Sequence, residues 1–131
     1  MTNKRTLVSN GNPMEKIVGF SRAVRVGPFI AVGGTAPVDS DGNTIGVGDV
    51  RAQTKQCFEI IKAALEEAGS GLSDIVRTRV ILTNIDDWKE AIEGRKEYCQ
   101  DARPVDTIMA IDRFINPEWL VEIEVDAYVA D

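Results

Sequence analysis

The sequence predicts an α+β fold: a mixed β-sheet with two helices on one face. Three observations point to it. The segment 120–129 alternates Val121, Ile123, Val125, Ala127 and Val129 with Glu122, Glu124, Asp126 and Tyr128, which is the two-residue period of a strand with one buried face. Segments beginning at Asp49 and near Asp86 repeat apolar residues with helical period. Strand-forming stretches flank both, in the order β-β-α-β-α-β-β, and right-handed crossovers then place the two helices on the same side.

Each element has its own signal. In MEKIVGFSRAVRVGPFIAVGGTAPVD, β-rich runs at 16–26 and 29–35 flank Gly27-Pro28 and predict a hairpin. Residues 39–48, DSDGNTIGVG, are turn-formers almost throughout, with the tight-turn pair Asp41-Gly42. Asp49 suits a helix N-cap and Gly69 a left-handed C-cap, and Val50, Cys57, Phe58, Ile61, Ala64, Leu65 and Ala68 form the apolar stripe between them. In LSDIVRTRVILTN, Val76, Thr78, Val80 and Leu82 share one strand face and Arg77, Arg79 and Ile81 the other. The second helix sets Trp88, Ala91, Ile92, Arg95, Tyr98 and Cys99 along one side, with Gly94 costing about 1 kcal/mol relative to alanine. Strands at 106–114 and 120–129 close the chain, joined by a turn at Asn116-Pro117.

Composition narrows the function. The 131 residues fit one domain, 1–131. The chain has no histidine, which excludes Ser-His-Asp and Cys-His nucleophiles, histidine-ligated metals and a two-histidine acid/base pair. Catalysis is left to carboxylates, arginine, backbone groups or water, and no metal or cofactor is expected. The net charge of −6 disfavours nucleic acid. Cys57 and Cys99 lack metal-like spacing and suit small core residues. No apolar run follows Lys4-Arg5, and VGPFIAVGG is too short and glycine-rich to cross a bilayer, so no membrane contact and a cytoplasmic location are the expectations. Two helices on one side leave the other sheet face open, with Ile81 and Tyr128 beside acids and arginines, and self-association would bury it.

The stretches GFSRAVRVGPFIAVGGTAP, VRTRVILTNIDDW and VEIEVDAYV, with the corner RPVDTIMA at Pro104, resemble the reactive intermediate deaminase family (Rid, or YjgF-like) over nearly the whole chain. The resemblance implies a chorismate-mutase-like fold, a homotrimer with inward-facing sheets, and small-molecule clefts between subunits. It also implies that the strand bearing Arg77 and Arg79 lies antiparallel to the last strand, where these arginines would act as counter-ions to the acid row Glu122, Glu124 and Asp126. Deaminating members carry an arginine two residues after the corner proline, gripping the carboxylate of a 2-imino acid. Here that position is Asp106, and Arg103 lies on the other side of Pro104. The family's tyrosine corresponds to Phe20, a frequent serine to Gly33 and an asparagine-like position to Asp86, while the cleft glutamate is kept at Glu122. These departures resemble a branch outside the standard 2-imino-acid deaminases.

The candidate site is therefore Glu122 as general acid/base or water holder, with Asp106, Arg103, Phe20 and the backbone of Gly33, Gly34 and Thr35 as ligand contacts. Against these stand plainer roles: Asp106 capping a turn, Glu122 as one member of a charged strand face, Arg103 as a solvated loop residue, and the glycines as subunit packing. Three functions remain open. They are hydrolysis of an imine, enamine or related C–N compound, non-enzymatic binding of a metabolite by a regulatory trimer, and the endoribonuclease or translation-inhibitor activity attached to some members. The last has no familiar acid/base pair here.

Overall fold

The computed structural model describes residues 4–130. Six strands form one sheet: β1 Arg5–Val8, β2 Ala23–Val26, β3 Phe29–Thr35, β4 Ile75–Leu82, β5 Val105–Ala110 and β6 Val121–Tyr128. They lie in the order β1-β2-β3-β6-β4-β5, antiparallel throughout except for the β4–β5 pair. Helix α1, Val50–Glu67, connects β3 to β4, and α2, Trp88–Cys99, connects β4 to β5. β3 and β4 flank β6 antiparallel to it and so run parallel to each other, which makes both helices crossovers. The α+β fold with two helices on one face is present as read.

The core lies between helices and sheet. Phe58, Ile61 and Leu65 of α1 meet Val80 and Leu82 of β4 and Val121, Ile123, Val125 and Ala127 of β6, all with no exposed surface. Each valine, isoleucine or leucine buried there contributes about 1.5–3 kcal/mol before entropic costs. Asp49 caps α1 by accepting from the Ala52 amide at 3.1 Å, and Gly69 ends it at φ +84°. Cys57 and Cys99 are free and buried.

Several details differ from the sequence reading. The run 16–26 is not one strand: Glu15–Gly19 forms a single wide turn closed by the Phe20 amide on the Glu15 carbonyl, and β2 begins only at Ala23. Gly19, at φ +88°, turns the chain away from β geometry. Strand β1, four residues long, was not foreseen. Val76 is 48% exposed because the β4–β6 register shifts between Ile75 and Arg77, so Ile75 takes the buried place. β5 stops at Ala110 and Trp88 is 45% exposed. Gly94 also has a positive use: a Cβ there would stand 2.7 Å from the Arg51 carbonyl and 2.8 Å from Thr54 Cβ, so its absence allows α1 and α2 to touch.

Candidate functional site

On the sheet face away from the helices, β4 and β6 set three residues of each strand opposite one another: Arg77 with Asp126, Arg79 with Glu124, and Ile81 with Glu122. The first two pairings are ionic. Arg77 Nε lies 3.5 Å from Asp126 Oδ2, and Arg79 Nη1 lies 3.6 Å from both Glu124 Oε1 and Asp126 Oδ2. The series breaks at Ile81, so Glu122 has no arginine across the strand, and among the described residues no cation lies within 4 Å of it.

The other side of Glu122 is β3. Its register with β6 shifts between Val32 and Thr35, and the irregularity contains Gly33 and Gly34. A Cβ on Gly34 would stand 2.9 Å from Glu122 Oε1, so the glycine is what lets the carboxylate lie against this backbone. Arg22, only 8% exposed, reaches in just before β2, and its Nη2 donates to the Gly33 and Gly34 carbonyls at 2.7 Å each. Thr35, fully buried, donates its hydroxyl to the Gly33 carbonyl at 2.7 Å. Burial pushes the Glu122 carboxyl above its ordinary range, with Arg22 opposing and Glu124 reinforcing the shift.

The Pro104 corner is built differently. Asp106 Oδ1 accepts from the Thr78 hydroxyl at 2.6 Å and lies 3.7 Å from Arg95 Nε, while Arg95 Nε and Nη2 donate to the same hydroxyl at 3.2 and 3.0 Å. Thr78 is buried and Arg95 belongs to α2, so Asp106 is turned toward the helix side. Arg103 adopts φ +49°, the one non-glycine left-handed residue among those described, and donates its amide to the Cys99 carbonyl at 2.8 Å. It borders an open groove of about 510 Å³ with Arg95, Lys96 and Pro104.

The structure thus brings Glu122, Gly33, Gly34 and Thr35 together and leaves Asp106 and Arg103 elsewhere. Glu122 is level with Ile81 and Asp106 with Thr78, on opposite faces and one strand apart across β4, roughly 14 Å between Cα atoms by strand geometry. Phe20 is 39% exposed at the end of the wide turn, two residues before Arg22. Asp86 sits in the short turn leading into α2, with its amide on the Asn84 side chain. Arg22 was not foreseen, because a single arginine beside a strand has no periodicity to mark it as buried. Among the described residues no group of three histidine, cysteine, aspartate or glutamate side chains has metal-binding geometry, and no helix is long and apolar enough to cross a membrane.

A family model described as Endoribonuclease L-PSP matches residues 11–129. The chain belongs to this YjgF/RutC/Rid family. A RutC family protein of Pyrococcus abyssi is 38% identical over 109 residues, covering 83% of this chain and 85% of that one. The 3-aminoacrylate deaminase RutC of Acinetobacter baylyi is 27% identical over 126 residues, covering 96% and 98%. Among solved structures, a Mycobacterium tuberculosis member of the YjgF/YER057c/UK114 family superposes with a TM-score of 0.87 at 41% identity, covering 96% of this chain and all of that one. The six-stranded sheet with two helices is therefore the family's chorismate-mutase-like fold.

Proposed function

We propose that the protein hydrolyses a small imine or enamine, with Glu122 as the acid/base group. The observation that carries this reading is a single carboxylate, half-buried and without a paired cation, lying against a backbone stripped of side chains at Gly33 and Gly34. Its raised affinity for protons suits both halves of the reaction. Protonated Glu122 delivers a proton to the enamine carbon or the imine nitrogen. The resulting carboxylate then takes a proton from the water that adds to the C=N carbon, and the carbinolamine collapses to a carbonyl compound and ammonia. The deaminase named among the relatives supports this reaction class.

The assignment leaves Asp106 and Arg103 outside the proton-transfer step. With Asp106 at the position where deaminating members carry arginine, a 2-imino acid meets no clamp for its carboxylate, and 2-iminopropanoate is expected to be a poor substrate. The proposal includes a homotrimer, with the ligand at the subunit interface. The paired residues Phe29 and Tyr128 leave 44% and 52% of their surfaces exposed on the face that bears Glu122, and association would cover them. The ribonuclease reading is not favoured, since the charge of −6 repels a phosphodiester and no histidine is present.

The test is ammonia release from 3-aminoacrylate and 2-iminopropanoate generated in solution, with light scattering to fix the assembly. Release faster than in buffer and lost in Glu122→Gln is the expected result. If no probe is accelerated while amines or keto acids raise the melting temperature, the protein binds a metabolite without transforming it. A stable monomer at micromolar concentration removes the intersubunit cleft.

A further inference from the structure

Arg22 is a buried charge for which the proposed reaction has not yet found a use. We infer that Arg22 is the positioning residue of this site, fixing through its guanidinium both the backbone on which the Glu122 carboxylate rests and the charge that the carboxylate faces. The inference rests on the reading of Glu122 as the acid/base group.

The geometry argues against the other obvious role, a clamp for a ligand's carboxylate. A guanidinium grips a carboxylate through Nε with Nη2, or through Nη1 with Nη2, and both forks need Nη2. Here Nη2 is committed to two successive carbonyls, those of Gly33 and Gly34, at 2.7 Å each. Nε is buried with no partner among the described residues. Neither two-pronged grip is therefore free for a ligand. What the side chain holds is the irregular stretch of β3, where the Thr35 hydroxyl also bonds the Gly33 carbonyl and which lies 2.9 Å, measured to a Cβ placed on Gly34, from Glu122 Oε1.

Charge follows from the same placement. From β6, Glu124 faces Glu122 but is paired with Arg79, and from β4 the facing residue is Ile81. From α1 the Cys57 thiol feels the Glu122 charge, but burial raises it well out of the working range. Glu15 of the wide turn acts on Arg22. Arg22 is thus the cation that opposes the effect of burial on Glu122, and Glu122 in turn is the foremost charge sustaining the buried Arg22.

The experiment follows the titration of the Glu122 carboxyl by carbon-13 NMR in the intact protein. Arg22→Gln should move the midpoint upward by about one pH unit, the effect of losing an opposite charge at close range. A midpoint unmoved in Arg22→Gln overturns the inference. Should that variant not fold, Arg22→Lys carries the test, because lysine keeps the charge but lacks the planar reach to both carbonyls. It should leave the midpoint within about half a unit while amide exchange at Gly33 and Gly34 quickens about tenfold, as expected for a loosened local structure. Wild-type exchange in Arg22→Lys overturns the inference. The two readings remain separable: a moved midpoint in a protein that hydrolyses nothing sinks the proposed function alone, and an unmoved midpoint in an active enzyme sinks only the role of Arg22.

Discussion

The β3 corner and the Pro104 corner each place an acid near an arginine, with opposite results. At Pro104 the acid is consumed: Asp106 takes the Thr78 hydroxyl at 2.6 Å and Arg95 at 3.7 Å. At β3 it is the arginine that is consumed, since Arg22 gives Nη2 to two carbonyls, and Glu122 is left carrying a proton affinity raised by burial. A carboxylate with satisfied partners stabilises the fold and has little capacity left for chemistry. A carboxylate held close to a cation but not hydrogen-bonded to it is costly to the fold and available to a substrate.

The sharpest test of this contrast is to neutralise each acid. Glu122→Gln should lower kcat/KM by about 100-fold or more, the range for losing a positioned acid/base group, while Asp106→Asn should change it less than about threefold and instead lower stability by about 1–2 kcal/mol through its lost charged hydrogen bonds. Steady-state ammonia release and denaturant unfolding measure the two effects, and the reverse pattern would move the chemistry to the Pro104 corner. Gly34→Ala is a smaller perturbation. Its Cβ must displace Glu122 Oε1 from 2.9 Å, so activity should fall several-fold with stability changed by less than about 1 kcal/mol.

The pH dependence of stability separates the corners again. The folded pKa of Glu122 is raised, so its contribution to stability is fully present below the unfolded carboxylate value and is lost as pH rises through the folded one. Glu122→Gln should therefore melt above the wild type at pH 7.5, with the difference closing on acidification toward about pH 4, the ordinary carboxylate range. An equal difference at both pH values would show that ionisation of Glu122 carries no cost. The smallest effect is expected along the neighbouring ladder. A double-mutant cycle of Arg79→Met and Glu124→Gln should show coupling of about 0.2–1 kcal/mol, and additivity would mean that those arginines do not neutralise the acid strand.

Much of the frame was legible in the sequence because local patterns and burial agreed. The alternation of 121–128 matches a strand whose odd-numbered residues are buried up to Ala127, and Asp49 and Gly69 bracket α1 as read. The strand of Arg77 and Arg79 lies antiparallel beside the last strand, as the family resemblance implied, with the two arginines opposite Asp126 and Glu124 and Ile81 opposite Glu122. Legibility failed where one residue outweighed a pattern. Gly19 ended a run that reads as strand, and a register shift at Ile75 exchanged the faces of Ile75 and Val76. Within the candidate site, the acid of the last strand and the paired glycines could be picked out by residue type, but nothing in the sequence showed that they touch.

By itself the sequence determined the number and order of most elements, the side of β6 that is buried, and the exclusion of histidine chemistry, since each depends on residue type and short-range period. The tertiary structure alone decided which charges meet. Arg22 and Gly34 are twelve residues apart and come together at the end of the β2–β3 pairing, and Gly94 explains itself only against Arg51 and Thr54 of the other helix. Asp106 could face either side of the sheet until its level with Thr78 on a parallel neighbour turned it toward α2. Periodicity is a property of one segment, whereas hydrogen bonds and charge pairs depend on distances between segments, which are set only when the sheet closes on its helices.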